Sequence, residues 1–503
     1  MSYEDFYKIF QEHFEAPYPD LFLSRDDLIN FIDRNEYFDI IIAGAGIHGA
    51  LCARLAALHG LKTLLLEKND YSEQALERVP LSIHSAFLDS ESWNVLSIYR
   101  NHKKYLRLAQ MAPHLVHARR IVYRLPKKSK FLDFKMRTLS ALQNFLFNET
   151  STWPYEELAP NDYCISQVSL NEARFILESI LAARQEGAAC LNHAVVDVVS
   201  QRKDASVEVI WHDSISGKRH ESQCRVLLNC TGASTPFLGR IKVQSFADEL
   251  LYRQDLSLYM RGHWDGPEAI IVPDEGDFPL GISPTNGGFV ISAEIRKLEK
   301  PDDKPEVQPG DVEMLLSEIA KHLPELDVSS SNIQHVTSAA RCRLKNKGAT
   351  SGKWYYSQGM LTLLGGESFD APDLAFSGIE KVLQKSKEPY EAISLYDRPM
   401  PGAWRFEDFK KELFNCTAQH EPNNELLHAA LGRYGSLLRL VKDDESCFRD
   451  VHGLFLEGEL QLAIKLEQAC TVEDVIFRRL GLRILPDSKQ QILQHINDYL
   501  LRA

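Results

Sequence analysis

The pattern of apolar positions changes sharply at Phe38. Residues 38–43 form a nearly unbroken apolar run, typical of a strand buried on both faces of a parallel sheet. A glycine-rich turn follows, Ala50 to His59 predicts a helix, and Leu61 to Leu66 predicts a second strand. The pattern therefore indicates a strand–helix–strand (βαβ) unit, which is the clearest architectural signal in the chain.

The rest of the chain carries weaker signals of both strand and helix. Ser24 and Asp27 form a Ser-x-x-Asp pattern that predicts the start of a short helix before the βαβ unit. The further predicted elements are a helix over Leu170 to Gln185 and strands over Ala194 to Val199, Arg225 to Asn229 and Met360 to Leu364. The proline-rich stretch Lys300 to Asp311 predicts a loop, and Leu426 to Leu500 predicts an entirely helical region. Prolines 389, 399 and 401 predict a linker before that region.

Composition narrows the class of protein. The 503 residues carry a formal net charge of −13, which disfavours nonspecific binding to nucleic acid as the main activity. Nine scattered cysteines contain no Cys-x-x-Cys pair and no spacing suited to zinc, so we predict no metal site. The acidic start lacks the features of a signal peptide, and no apolar stretch is long enough to span a membrane, so we expect a cytoplasmic protein.

The turn after the first strand has the spacing of a dinucleotide-binding motif. Gly44, Gly46 and Gly49 form G-x-G-x-x-G, in which glycines allow the tight turn, close approach to a pyrophosphate and close helix–strand packing. The N-terminus of the following helix offers amide groups to the negative charge. Glu67 ends the second strand, where a carboxylate accepts hydrogen bonds from a ribose diol, and Lys68 follows it.

Two further segments favour FAD over NAD. Leu227 to Gly232 resembles the strand and Thr-Gly turn that flavoproteins of this architecture place beside the cofactor, which assigns Thr231 and Gly232 to the site. Gly365 and Gly366 precede a predicted helix and could supply amides to the flavin ring, the alternative being a plain tight turn. Val196 could offer backbone contacts to adenine, or be an ordinary core valine.

With these segments in order, the chain resembles the FAD-dependent glycerol-3-phosphate dehydrogenases over nearly its whole length, within the superfamily of D-amino-acid-oxidase-like flavoproteins. Residues 111–116, Met-Ala-Pro-His-Leu-Val, nearly match the end of a helix in that family. Arg433-Tyr-Gly435 and the block Thr471 to Arg479 resemble its helical C-terminal domain.

The resemblance implies a fold, a division into domains and a reaction. It implies an α/β protein with a Rossmann-like FAD-binding domain, an interleaved antiparallel-sheet cap domain and an all-helical C-terminal domain. We predict an N-terminal extension over residues 1–36, the FAD-binding and cap domains over 37–385, a linker over 386–402 and the helical domain over 403–503. In the family, hydride passes from C2 of sn-glycerol 3-phosphate to FAD, and the reduced flavin passes electrons to quinone at a membrane surface.

Several positions depart from the family's pattern. Ile83-His84-Ser-Ala-Phe-Leu88 replaces Ile-His-Gly-Gly-Leu-Arg, so His84 is kept and the arginine is lost. Arg341 matches the arginine that holds the substrate phosphate. The family's Gly-Ser-His falls near residues 255–257, its Gly-Thr-Thr-Asp near 291–294, and its Gly-Gly-Lys lysine has become Glu367. A unit-charge pair at roughly 5 Å and an effective dielectric near 20 is worth about 3 kcal/mol, so this reversal should weaken phosphate binding, and Glu367→Lys should strengthen it.

His84 and Arg341 are the candidate catalytic residues. An imidazole titrates near working pH and could act as the base, although a histidine among apolar neighbours can equally be structural. Arg341 could hold an anion or support the flavin. Two alternatives to the family's activity stay open, namely a flavoenzyme acting on another hydroxy or amino substrate, and a flavin-binding or flavin-free regulatory homologue. The sequence leaves the oligomeric state undetermined.

Residues 119–137 contain eight basic side chains and one acidic one, and an apolar segment follows. Such a segment could bind an anionic membrane surface peripherally, the alternative being a solvated loop and a core helix.

Overall fold

The computed structural model describes residues 24–35, 37–73, 103–104, 106–125, 133–134, 137–138, 162–238, 249–272, 279–299, 302, 304–324, 326–345, 351–386, 389–417 and 424–502. Predictions that concern other residues, including His84, Leu88 and the four lysines of the basic segment, lie outside this part of the chain.

The first half of the described chain contains the βαβ unit and the strands that extend it. Its elements are α1 (Arg25–Arg34), β1 (Tyr37–Ala43), α2 (Ile47–Leu58), β2 (Thr63–Leu66), β3 (Val116–Arg124), β4 (Asp162–Leu170), α3 (Glu172–Gln185), β5 (Ala189–Leu191), β6 (Ala194–Gln201), β7 (Val207–Asp213) and β8 (Arg219–Asn229). The predicted strands and helices of this half are present, with ends that differ by a few residues. Ser24 caps α1 as predicted, because its hydroxyl accepts from the amide of Asp27.

The second half of the described chain contains a second sheet and then a mainly helical region. Its elements are β9 (Leu250–Arg261), β10 (Glu268–Ile271), β11 (Leu280–Thr285), β12 (Gly288–Leu298), α4 (Pro309–His322), β13 (Ile333–Leu344), β14 (Gly352–Ser357), β15 (Met360–Gly365), α5 (Ala371–Ser386), α6 (Phe406–Thr417), α7 (Asn424–Tyr434), β16 (Asp450–Val451), β17 (Phe455–Leu456), α8 (Glu457–Gln461) and α9 (Lys489–Leu500).

Two of these elements differ from the sequence predictions. The predicted loop over Lys300 to Asp311 ends early, because Pro309 starts α4 at the position where its missing N–H is harmless. The region from Leu426 to Leu500 is mainly, not entirely, helical: two short strands, β16 and β17, form a hairpin before α8, and residues 467–471 and 480–488 are turns and irregular chain. Two π-helical segments, Leu462–Leu466 and Asp474–Arg479, follow α8.

The first sheet carries the βαβ unit at its centre. Its strands run in the order β14-β15-β8-β1-β2-β5, β7 adds to β8, and β6 adds to β7. The pairs β15–β8–β1–β2–β5 are parallel. One face of this sheet is covered by α2, α3 and α5, with small residues such as Ala50, Ala53 and Ala56 at the contact. The carboxyl ends of β1, β2 and β8 therefore meet at one edge, where parallel sheets bind ligands.

The second sheet forms the cap and is interleaved with the first in sequence: β3 and β4 lie between β2 and β5, and β9 to β13 lie between β8 and β14. Its strand order is β13-β9-β12-β11-β10-β3-β4, and its pairs are antiparallel except for β10–β3. Apolar residues on one face, including Leu256, Leu258 and Ile291, pack against Leu315 and Ile319 of α4. The opposite face carries charged and hydroxyl side chains.

The C-terminal region docks on the first sheet through buried ion pairs. Arg174 of α3 contacts Glu467 at 2.6 Å, and Arg479 contacts Asp70 at 2.6 Å. Burial alone would lower the pKa of Arg479, but the carboxylates of Asp70 and Glu467 outweigh burial and hold its pKa above the ordinary value. Among the described residues, no helix is long and apolar enough to cross a membrane.

Candidate functional site

The glycine-rich turn is closed by backbone contacts that require glycine at two positions. Gly44 has φ +96°, and a Cβ there would lie 2.8 Å from the carbonyl oxygen of Cys230. A Cβ on Gly49 would lie 1.8 Å from the carbonyl oxygen of Gly44. The turn therefore owes its shape to the first and third glycines of the motif.

The second glycine faces open space. A Cβ on Gly46 would meet no atom of the described residues within 4 Å, so these residues leave the space over the N-terminus of α2 free for a ligand. No side chain in this part of the chain caps the helix, and its first turn contains no acidic residue. The amides of the first turn and the helix dipole are therefore directed at a position that suits an anion such as a pyrophosphate.

Glu67 lies directly beside this turn. Its carboxylate accepts hydrogen bonds from the amide of Ala45 at 2.7 Å and from the amide of Asn69 at 3.1 Å. Burial raises the pKa of Glu67, and the two amide donors oppose that shift. This carboxylate lies just after the second strand and contacts the turn through the amide of Ala45. That is the position expected of a ribose ligand.

Thr231 and Gly232 form the opposite side of the turn. The amide of Cys230 donates to the carbonyl oxygen of Ala43 at 2.9 Å, which places Thr231 against Gly44. The Thr231 hydroxyl donates to Asn229 Oδ1 at 2.7 Å. Strand β8 therefore brings the second predicted cofactor segment to the first one.

Neighbouring strands bring Lys68 and Val196 close to the turn. Lys68 Nζ lies 3.4 Å from the hydroxyl of Ser234, which follows the Thr-Gly turn. The amide of Ala194 donates to the carbonyl oxygen of Glu67 at 2.7 Å, so β6 begins beside the predicted ribose ligand. Val196 is half-buried two residues further along this strand.

Gly365 and Gly366 lie between β15 and α5, and the amide of Gly366 has a partner within the protein. The amide of Gly366 donates to the carbonyl oxygen of Ser351 at 3.0 Å, so it is already used within the β14–β15 connection. A Cβ on Gly366 would lie 2.6 Å from Nε2 of His48. His48 thus joins the dinucleotide turn to the segment before α5. Sequence reasoning missed this contact, because the residues that form it are more than 300 positions apart.

Arg341 lies on the polar face of the second sheet and is buried beside carboxylates. Its guanidinium contacts Asp255 at 2.5 Å. Burial tends to lower the pKa of Arg341, but Asp255, Glu367 and Glu294, in order of effect, raise its pKa above the ordinary value. The arginine predicted to hold an anion therefore lies among three acidic side chains.

Two more arginines in this region are also paired with acids. Arg253 contacts Glu294, and Arg343 Nε lies 3.0 Å from Glu367. We call this set the charge cluster; its members are Arg253, Asp255, Glu294, Arg341, Arg343 and Glu367. Three basic and three acidic groups give the cluster no formal net charge. The segments that the family resemblance assigned to substrate binding converge here. Asp255 and Glu367 lie at positions where the family has a neutral or a basic residue, and Glu294 lies at the position of the family's aspartate.

A separate group of His193, Cys470 and Asp474 has ligand atoms close enough for a metal ion. Asp474 Oδ2 already accepts from the His193 ring at 3.0 Å and from the amides of Cys470 and Thr471. Burial raises the pKa of the Cys470 thiol to about 11. Hydrogen bonds to Asp474 link this group at the start of the second π-helical segment.

Comparisons with known proteins agree with this arrangement. The family model described as FAD dependent oxidoreductase matches residues 39–360. The chain is 21% identical to a glycerol-3-phosphate dehydrogenase from a Synechocystis species, with 90% of each protein covered. It is 24% identical to a probable mitochondrial glycerol-3-phosphate dehydrogenase of Dictyostelium discoideum, with 90% of this chain and 79% of the relative covered.

The fold resembles that of a solved glycerol-3-phosphate dehydrogenase from Bacillus halodurans, determined with FAD. The TM-score is 0.74 at 17% identity, and the match covers 95% of this chain and 94% of that structure. The similarity includes the mainly helical C-terminal region as well as the two sheets.

Proposed function

The chain belongs to the FAD-dependent oxidoreductase family, and from that premise we propose that it is a dehydrogenase of the glycerol-3-phosphate dehydrogenase type. The observation that carries this proposal is the dinucleotide turn, with open space over the N-terminus of α2 and Glu67 at its side. The length over which the chain matches named glycerol-3-phosphate dehydrogenases supports the choice of substrate.

The residues at the turn fit the adenosine diphosphate part of FAD. The amides at the start of α2 would hold the pyrophosphate, Glu67 would accept from the ribose hydroxyls, and Thr231 and Gly232 would line the opposite side. When bound, FAD supplies an acceptor for a hydride from a carbon that bears a hydroxyl group.

The protein's own part in the reaction is to bind the substrate and to remove its hydroxyl proton. Arg341, on the polar face of the second sheet, would orient the end of the substrate remote from the reacting carbon. His84 stays the candidate base and lies outside the described residues. A histidine base would need to be neutral to accept this proton, so activity would fall as the pH drops below its pKa.

Anaerobic reduction of the flavin tests this function directly. The purified protein with FAD should lose its visible flavin absorbance when glycerol 3-phosphate is added without oxygen. A spectrum without flavin bands, even after incubation with FAD, would instead favour a regulatory homologue.

A second candidate function is the oxidation of a different hydroxy or amino substrate. The charge cluster favours it, because each of the three arginines is paired with a carboxylate. In that case the flavin would bind normally, and glycerol 3-phosphate would leave it oxidised.

Glu367→Lys should strengthen binding of glycerol 3-phosphate. The change removes the carboxylate that lies 3.0 Å from Arg343 and restores a cation. A unit-charge pair is worth about 3 kcal/mol at roughly 5 Å and a dielectric near 20, so changing −1 to +1 is worth about 6–7 kcal/mol before, and about 1–2 kcal/mol after, a large allowance for solvent. We therefore expect the dissociation constant, measured by titrating the flavin spectrum, to fall by about 5- to 30-fold.

The matched control for this variant is Glu208→Lys. Glu208 also pairs with an arginine, Arg202, at 3.5 Å, but in the hairpin between β6 and β7. The Glu367→Lys variant could instead bind glycerol 3-phosphate as tightly as the wild-type protein, or more weakly, while unfolding at the wild-type temperature. That result would show that the charge cluster does not form the phosphate site.

We also propose a peripheral contact with the cytoplasmic face of a membrane, where reduced flavin would pass electrons to quinone. In the described part of the basic segment, Arg119, Arg124 and Arg137 contact carboxylates at 2.9–3.4 Å. The proposal therefore depends on the segment's four lysines, of which the three at 127, 128 and 130 are the most closely spaced.

Sedimentation with vesicles tests the membrane proposal. The wild-type protein should sediment with vesicles that contain anionic phosphatidylserine, and less so at high salt, because surface attraction is screened. It should stay in solution with purely zwitterionic vesicles. Changing the three lysines to glutamate should abolish sedimentation with the anionic vesicles. If this variant sedimented as much as the wild-type protein, the basic segment would not be the membrane-binding site.

A further inference from the structure

The stretch of chain that begins with Glu67 is held on its far side by the C-terminal region. Residues 67–73, which we call the cofactor segment, follow β2 directly. Asp70, Tyr71 and Ser72 within it are only 1%, 1% and 4% exposed. At the start of the segment, Glu67 accepts from the amide of Ala45 in the dinucleotide turn. The cofactor segment therefore lies between that turn and the C-terminal region.

Two adjacent arginines of the C-terminal region bind the acids of the cofactor segment. Arg479 donates to both oxygens of Asp70, at 2.6 and 2.9 Å. Arg478 lies 3.2 Å from Glu73 and 3.7 Å from Asp70, and it donates to Asp474 of its own helical turn. Both arginines belong to the second π-helical segment. Turns of this kind are rare and occur frequently at functional sites.

Backbone strain occurs on both sides of this contact. Ser72 in the cofactor segment has φ +61°, and Gln468, which accepts from the hydroxyl of Tyr71 at 2.7 Å, has φ +57°. His193, whose amide donates to the carbonyl oxygen of Asn69, has φ +51°. Left-handed backbone is unfavourable for residues other than glycine, persists only where the surroundings hold it, and concentrates at ligand sites and switch regions. The cofactor segment therefore has a conformation that depends on its partners.

The same C-terminal stretch also contacts the cap. Phe477 stacks on His335 of β13, with ring centroids 4.9 Å apart. Arg261 at the end of β9 donates to the carbonyl oxygen of Leu485 at 2.8 Å. We call residues 468–485 the bridge segment, because they contact both the cofactor segment and the sheet that carries most of the charge cluster.

We propose that Arg478 is a positioning residue for FAD, through which the bridge segment holds the cofactor segment in the conformation that binds the cofactor. The inference rests on the placement of FAD at the dinucleotide turn under the proposed function. A contact that increases the population of the binding conformation increases the apparent affinity in proportion. Coupling between two sites is reciprocal, so bound FAD also stabilises the contact of Arg478 with the cofactor segment.

Arg478 is better suited to this role than its neighbour Arg479. The Arg479 side chain is 0% exposed, so its loss would leave an unpaired acid in the interior and disturb folding itself. The side chains of Arg478 and Glu73 are 13% and 16% exposed. Water can therefore reach the partner that remains after a substitution, and the conformation of the segment can change while the fold is kept.

The FAD affinity of Arg478 variants tests the inference. Arg478→Gln removes the charge and should raise the dissociation constant for FAD, measured by equilibrium dialysis, about tenfold, which corresponds to about 1.4 kcal/mol. Arg478→Lys keeps the charge and should recover most of the affinity. Wild-type FAD affinity in Arg478→Gln would overturn the inference at any unfolding temperature. An equal loss in Arg478→Lys would also overturn it, because the effect would then come from packing and not from charge.

Arg439→Gln is the matched control in the C-terminal region. Arg439 is similarly buried, with a side chain 9% exposed, and lies 3.7 Å from Glu412, which is not part of the cofactor segment. This variant should unfold at a lower temperature than the wild-type protein but keep its FAD affinity. Equal losses of FAD affinity in Arg439→Gln and Arg478→Gln would assign the effect to the general stability of the region and contradict a positioning role.

Glu73→Gln removes the same contact from the side of the cofactor segment. It should weaken FAD binding to a similar extent as Arg478→Gln. The double variant should bind FAD no more weakly than either single variant, because each change already breaks the contact. Losses that add in the double variant would show that the two residues act independently, against the inference.

Hydrogen exchange measures the reciprocal effect. Adding FAD to the wild-type protein should slow the exchange of backbone amides in the bridge segment, and Arg478→Gln at saturating FAD should lose this protection. Protection confined to the dinucleotide turn and the cofactor segment would contradict the coupling.

Failure of the inference and failure of the proposed function are distinguishable. FAD that binds equally to the wild-type protein and to Arg478→Gln would contradict the inference alone. Flavin that binds but is not reduced by glycerol 3-phosphate would contradict the dehydrogenase alone. A wild-type protein that binds no FAD would contradict both.

Discussion

Replacing Gly49 with alanine should abolish tight FAD binding. The new Cβ would lie 1.8 Å from the carbonyl oxygen of Gly44, and neither atom belongs to a side chain that can rotate away. The turn would have to open, at a cost of roughly 1–3 kcal/mol or more. Because the same backbone forms the pyrophosphate site, we expect FAD affinity to fall by about two orders of magnitude. Equilibrium dialysis against FAD measures the change.

Two other glycines serve as matched comparisons. Gly46→Ala adds a Cβ that meets nothing within 4 Å, so the apoprotein should keep its unfolding temperature while the methyl group enters the ligand's space and weakens FAD binding. A Cβ on Gly310, in the first turn of α4, would also meet no described atom within 4 Å. Gly310→Ala should therefore change neither the unfolding temperature nor the FAD affinity by much. Wild-type FAD affinity in the Gly49 variant would contradict the assignment of the turn.

Replacing Asp70 with alanine should destabilise the protein more than any surface substitution. Arg479 would lose two hydrogen bonds, of 2.6 and 2.9 Å, while its guanidinium stays fully buried. Removing one partner of a buried ion pair costs roughly 3–5 kcal/mol. Asp70 is three residues from Glu67, so FAD affinity should fall as well. Urea unfolding followed by circular dichroism measures the loss.

Asp487→Ala is the control for this variant. It breaks an ion pair with Arg261 of similar length, 2.9 Å, but Asp487 is almost fully exposed, so the change should cost less than about 1 kcal/mol. The double variant Asp70→Leu with Arg479→Met should recover much of the stability, because it leaves no unpaired buried charge. A loss below 1 kcal/mol for Asp70→Ala would show that the C-terminal region is docked by other contacts.

The sequence was sufficient to predict the dinucleotide turn because its determinants are local. The glycine spacing, the apolar strands and Glu67 all lie within thirty residues, and their conformations follow from sterics and hydrophobic burial. The family resemblance supplied the two-sheet architecture, whereas the helical character of the C-terminal region was already predicted from the pattern over Leu426 to Leu500.

The charge cluster could not be predicted in the same way. Arg341 and Asp255 are 86 positions apart, and their contact depends on the register of β13 against β9. A shift of one residue would turn each of these side chains to the other face of the sheet. The sequence identified the unusual acids, but only the register shows that they neutralise the arginines.

The order of strands in the first sheet has a consequence for how the protein is made. A nascent chain that has emerged only to Leu66 already contains β1, α2 and β2. The turn is nevertheless completed by Cys230 and Thr231, and the sheet by β15 at residues 360–365. Contacts this distant in sequence form slowly, because long loops must close first. FAD should therefore be captured after most of the chain has been synthesised, and cells short of flavin should accumulate an apoprotein that is more readily degraded.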